Sequence, residues 1–131
     1  MTDWQLMINE KLQDYSDYSI DINKKHLRVT CDNPGSFEVS ISEQDGDFLV
    51  GYDGWHEHFS DLKPALNCFA FGLSEECRLK VTLRGQLECS WTVQSWTGEG
   101  WKDASTTGLI LIPFWRARRT EYRVNKLLPC A

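Results

Sequence analysis

Between residues 37 and 52 apolar side chains occupy every second position on both sides of an Asp-Gly pair: Phe37, Val39 and Ile41 before Asp45-Gly46, then Phe48, Val50 and Tyr52. Period-two apolarity marks a strand with one face on a core, and a two-residue Asp-Gly turn fixes which residues oppose each other. The turn pairs Gln44 with Asp47, hence Ile41 with Val50 and Val39 with Tyr52. All of these apolar side chains then share one face of a hairpin, and that face demands a second layer to cover it.

Two segments supply the cover. Trp4, Met7, Ile8, Leu12 and Tyr15 recur at helical spacing behind Thr2 or Asp3 as cap, which predicts a helix over residues 3–15. A second helix is predicted over 60–73, where Ser60 or Asp61 can cap, Pro64 falls in the first turn, and Leu62, Leu66, Phe69 and Leu73 repeat. Elsewhere alternation returns. Leu27, Val29 and Cys31 form a strand that ends at Asn33-Pro34-Gly35. Leu79, Val81 and Leu83 form another, followed by Leu87, Cys89, Trp91 and Val93 across a three-residue loop, Arg84 to Gln86, that sets Val81 opposite Cys89. The apolar run Leu109 to Phe114 reads as a short buried strand, Arg116 to Arg119 as a turn, and Tyr122 to Leu127 as a last strand. The expected fold is α+β, a two-layer domain over residues 1–131 with a mostly antiparallel sheet of about seven strands and two helices, in the order α-βββ-α-ββββ.

Composition narrows the setting. The chain of 131 residues is 41% hydrophobic and 25% charged, the balance of one globular domain. Its five cysteines, Cys31, Cys68, Cys77, Cys89 and Cys130, form no CxxC pair and are odd in number, which argues against a secreted disulfide framework and against a zinc ribbon. No secretory leader is readable at the N-terminus, and the longest apolar run holds Pro113 and is far shorter than a membrane helix. The reading is a soluble, cytoplasmic protein without a membrane segment. Residues 1–65 hold 5 Lys/Arg against 13 Asp/Glu and residues 66–131 hold 9 against 6, so the halves carry −8 and +3. The overall charge of −5 disfavours general nucleic-acid binding.

Three clusters have chemistry to offer. Asp53, His56, Glu57 and His58 sit within one hexapeptide; two imidazoles and two carboxylates are ordinary metal ligands, and His-x-His on an extended segment sends both rings to one side. The spacing is not the helical HExxH of a zinc hydrolase, and a polar strand-to-helix loop accounts for the same residues. Trp96 falls in the outward set of its strand and Trp101 in the loop beyond, a pair suited to an exposed aromatic platform. Trp115, Arg116, Arg118 and Arg119 join an aromatic ring to three guanidinium groups that can take carboxylate or phosphate bidentately. No Walker loop, dinucleotide fingerprint or nucleophile elbow occurs, and Cys68, in an apolar helix, reads as core. No cofactor is expected. The leading reading is therefore non-catalytic recognition of another protein, in an adaptor, chaperone-like or immunity-like role, through the two Trp and Arg clusters. A second copy of the chain is also among the expected partners. The alternative is a small-ligand or metal-binding protein, or a hydrolase, working through the Asp53 to His58 segment.

Overall fold

A computed structural model describes residues 1–128; Cys130, counted above, lies outside the described residues. The elements are α1 (Asp3–Leu12), β1 (Tyr18–Asn23), β2 (His26–Cys31), β3 (Val39–Gln44), β4 (Asp47–Tyr52), β5 (Trp55–Phe59), α2 (Leu62–Gly72), β6 (Cys77–Arg84), β7 (Leu87–Trp96), β8 (Trp101–Gly108) and β9 (Arg118–Val124). The fold is α+β and antiparallel, but it has nine strands in two sheets, β1-β2-β3-β4-β5 and β8-β7-β6-β9, where about seven strands in one sheet were expected.

The additional strands are edge strands whose exposed faces dilute the alternation. Tyr18, Ile20 and Ile22 of β1 are half-buried, and the turn into β2 uses Lys24 at φ 48°, a residue that does not announce a turn. In β5 the inward Trp55 and Phe59 flank Glu57, so a charge interrupts the apolar face. The third, β8, is largely exposed. It forms an edge of the four-stranded sheet, and the apolar run beginning at Leu109, expected as a short buried strand, is broken by Pro113 and forms a surface loop instead. Arg118 and Arg119, expected in a turn, already belong to β9.

Where turn chemistry is explicit, register follows. Asp45-Gly46 sets Gln44 against Asp47, Ile41 against Val50 and Val39 against Tyr52, with Asp45 and Gly46 both at positive φ. The β6–β7 hairpin differs. Gly85-Gln86 makes a two-residue turn pairing Arg84 with Leu87, and a bulge at Cys89 then slides the partner, so Val81 faces Trp91 instead of Cys89. A bulge inserts one residue and inverts the side-chain parity on its strand. Leu87 is accordingly exposed, and Glu88 turns toward the inner face.

One continuous core fills the space between the sheets and helices. Leu27, Val29, Val39, Ile41, Val50 and Tyr52 from the five-stranded sheet meet Cys77, Leu79 and Val81 from the four-stranded one, with Phe69 of α2 and Ile8 of α1. The first helix is seated by a capping box between Thr2 and Gln5, by the Trp4 Nε1–H donating to Glu43 Oε1 at 2.8 Å, and by Gln5 Nε2 donating to the His26 carbonyl. Helix α2 contacts β3, β4, β5 and β6 and so bridges the sheets. Two asparagines finish the assembly. Buried Asn125 accepts from the Phe37 N–H at 3.1 Å and donates to the Gly72 carbonyl at 2.9 Å, while Asn33 donates to the Val124 carbonyl. No helix among the described residues is long and apolar enough to cross a membrane.

Candidate recognition surface

The outer face of the four-stranded sheet is built by the even residues of β6, Arg78, Lys80, Thr82 and Arg84, with their cross-strand partners on β7 and β9. At one end Trp96 and Trp101 oppose each other across the β7–β8 hairpin with ring centroids 5.4 Å apart, edge to face. The Arg78 guanidinium lies 4.5 Å from the Trp101 ring and 4.1 Å from that of Tyr122. Its Nε donates to Gln94 Oε1 at 2.8 Å, and Gln94 Nε2 donates in turn to Asp103 Oδ1. A cation between two rings is held by their quadrupoles, so the four strands carry one ladder, Trp96–Trp101–Arg78–Tyr122. Trp96 is outward as its alternation implied; Trp101 lies on a strand instead of in a loop. Arg78 and Tyr122 escaped the sequence reading because only strand order makes them neighbours.

The apolar loop, residues 109–117, closes the opposite end. Ile110 is 96% exposed, Leu111 87%, Phe114 74% and Trp115 73%, while the Arg116 side chain lies against Gly85 and the Gly85 N–H donates to the Ala117 carbonyl. Arg84 donates to the Arg116 carbonyl at 3.4 Å, and Arg118 stands beside it at the start of β9. Arg119 is the exception, paired with Glu121 at 3.1 Å. Because β7 runs ten residues from Leu87 to Trp96, the two ends lie roughly 30 Å apart at the usual strand rise. The Trp96/Trp101 pair and the Trp115/Arg116/Arg118/Arg119 cluster are thus separate patches on one sheet. The apolar run that holds Ile110 and Leu111 predicts burial, and the structure leaves both exposed.

The Asp53 to His58 group is dispersed by the hairpin that carries it. Asp53 and Gly54 form the β4–β5 turn, with Asp53 at φ 51° and its Oδ1 accepting from the Glu38 N–H. His56 and His58 lie on one side of β5, as His-x-His predicts, opposite Gly51 and Leu49; Glu57 lies on the other side, opposite Val50. No group of three His, Cys, Asp or Glu side chains among the described residues is arranged to hold a metal ion.

Asp53 is engaged elsewhere. Arg123 reaches it at 2.6 Å, Glu88 at 3.0 Å and Glu121 at 3.1 Å, and the Trp91 Nε1–H donates to Glu88 at 3.0 Å. Burial alone would raise the Glu88 carboxyl, but hydrogen bonds from Arg123 and Trp91 and the guanidinium charge outweigh it and hold the pKa below its ordinary value. Burial likewise works against the Arg123 charge, and its three carboxylate partners overcome that and raise it. The cluster, one guanidinium shared by three carboxylates, is a clamp between the β4–β5 turn and the second sheet. The thiols are similarly quiet. Burial pushes Cys31 and Cys68 up to about 11 and Cys77 to about 12, the Tyr52 hydroxyl contact lowering Cys68 only in part. A thiol so protonated at neutral pH is a poor nucleophile.

Comparison with known proteins finds no match among protein families, curated proteins or solved structures.

Proposed function

We propose that the chain works by non-catalytic recognition of another protein, anchored by loop 109–117 and supported by the cationic sheet end at Arg84, Arg116 and Arg118. The observation that carries this reading is the set of four large apolar side chains, Ile110, Leu111, Phe114 and Trp115, that project from one loop with little cover from the rest of the chain. Folding gains nothing from leaving them in water, and contiguous apolar surface of this kind marks interaction sites. Aromatic and arginine side chains at the centre of a patch are the residue types that anchor interfaces. Guanidinium groups beside the loop that make no ion pair among the described residues favour an acidic rim on the partner and speed its approach.

The test immobilises the protein beside a variant with Ile110→Ser, Leu111→Ser, Phe114→Ser and Trp115→Ser, both shown to be folded by circular dichroism, and exposes them to extract of the source cells. Proteins retained at fixed stoichiometry by the native chain, displaced by free native protein and absent from the variant, support the reading. Identical retention by both would overturn it.

A further inference from the structure

Net charge conceals how the charges are sorted over the surface. Residues opposed across antiparallel strands share a face, so register assigns the outward side chains of the four-stranded sheet. Arg78, Lys80, Arg84 and Arg118 lie on its outer face, and among their paired neighbours there Asp103 is the one acid. Four cations against one acid leave this face at +3 on a chain of −5. Beyond the strand ends Glu76 and Glu99 adjoin the Trp pair and Arg116 and Lys126 adjoin β9, which leaves the balance unchanged. Asp103 is held by Gln94 at 2.8 Å, whereas none of the four cations forms an ion pair among the described residues. Arg118 stands directly opposite Arg84. Like charges so placed destabilise a sheet; folding is not served by the pair, and an anion laid across it turns repulsion into attraction.

The rings at the other end call for more than charge. Trp96 is 44% exposed and Tyr122 51%, and they terminate the ladder in which Trp101 and Arg78 lie between them. Gln94 holds the Arg78 Nε, so the rings are spaced before any ligand arrives. Between the ladder and the arginine pair the face carries Thr82, Ser90, Thr92, Thr106 and Thr120, small side chains that leave the sheet open to a flat polymer. An acidic protein segment satisfies the cations and leaves the rings unmatched, and a duplex keeps its base faces stacked inside. A single strand carries a phosphate and an accessible base on every nucleotide; bases stack on aromatic side chains while cations track the backbone. We propose that the outer face of the four-stranded sheet binds single-stranded nucleic acid, with bases on Trp96, Trp101 and Tyr122 and phosphates on Lys80, Arg84 and Arg118. The site meets loop 109–117 only at the Arg84 end, so it goes beyond the protein reading and stands without it.

The experiment follows the fluorescence anisotropy of labelled oligothymidylate and oligouridylate of about 12 nucleotides, a length one such surface can cover, as the purified full chain is added. Binding appears at low salt, and log K falls against log salt with a slope of about −2, the value for three phosphate contacts on a single strand. Trp96→Ala/Tyr122→Ala weakens binding by at least about 10-fold and leaves that slope unchanged. Lys80→Gln/Arg118→Gln also weakens it and brings the slope to about −0.7. Circular dichroism confirms that both variants are folded, and the four-serine loop variant binds as the native protein does. No binding of either oligonucleotide at low salt overturns the proposal. So does binding that heparin or duplex DNA matches and the ring variant leaves intact, which marks a general polyanion surface. Capture from extract of a protein that needs Trp96 and Tyr122, with no oligonucleotide bound, overturns it as well and assigns the face to a protein. Oligonucleotide binding without any loop-dependent capture supports this inference and overturns the protein reading alone.

Discussion

Gly54 is glycine for lack of room. A Cβ built there would overlap three atoms of the Trp91 indole, the farthest of the three at 2.5 Å. Carbon atoms rest at about 3.5–4.0 Å, so Gly54→Ala requires the ring to retreat by about 1 Å. The ring is tethered, because its Nε1–H holds Glu88 at 3.0 Å and Glu88 in turn holds Arg123. Overpacking of this kind costs about 1–3 kcal/mol, and loss of the tether adds about 1 kcal/mol. Against that, alanine stiffens the unfolded chain and returns about 0.4–1 kcal/mol. The net expectation is a loss of about 1–3 kcal/mol, which for a domain of this length lowers Tm by about 4–12 °C. Urea denaturation of four proteins, native, Gly54→Ala, Trp91→Leu and the double variant, measures it. In the Trp91→Leu background the added methyl finds space, and its cost falls below about 0.5 kcal/mol, giving a coupling of about 1–2 kcal/mol. A Gly54→Ala protein as stable as the native one, or an equal cost in both backgrounds, refutes the reasoning.

Two further outcomes are expected. Asn125→Ala strands the Phe37 N–H and the Gly72 carbonyl in the core, and at about 1–3 kcal/mol for each orphaned group it destabilises by about 2–6 kcal/mol in urea denaturation; a loss under 1 kcal/mol would show that the latch is unimportant. For the thiols, folding raises the pKa of Cys31, Cys68 and Cys77 from 9.0 to about 11–12. Their contribution to stability is therefore complete below pH 9 and is lost as pH climbs through 11 to 12. Urea midpoints fall across that window, and site-resolved alkylation at pH 8 modifies these three only after denaturation; rapid labelling of the native protein contradicts their burial.

How much of this was legible depended on whether a local signal fixed a non-local contact. Asp45-Gly46 did so, and every pair of its hairpin follows from two residues. Asp53-Gly54 carries the same dipeptide, yet the polar His56-Glu57-His58 that follows hides β5, because an edge strand needs little apolar alternation. The Gly85 turn was legible but the bulge at Cys89 was not, and that single inserted residue exposes Leu87 and carries Glu88 to Arg123. For residues 109–114 hydrophobicity was the misleading cue, since an unbroken apolar run specifies no face and no partner strand. Of the outer face of the four-stranded sheet, the Trp and Arg clusters were visible in the sequence. Arg78 was not, because its place between Trp101 and Tyr122 exists only after β6, β8 and β9 are set in order.

The asparagine latch also bears on how the polypeptide is made. Phe37 waits for a partner that lies 88 residues further along the chain. During vectorial synthesis the β1–β5 sheet can emerge and pair, and α2 can settle on it, while the Phe37 amide and the Gly72 carbonyl remain wet and the apolar side of that sheet lacks its second layer. Domains tend to complete themselves as units. Here the completing unit arrives with Asn125, so a ribosome that stalls within β9 leaves a nascent chain with native hairpins and an open core, the kind of intermediate that chaperones and proteases are built to notice.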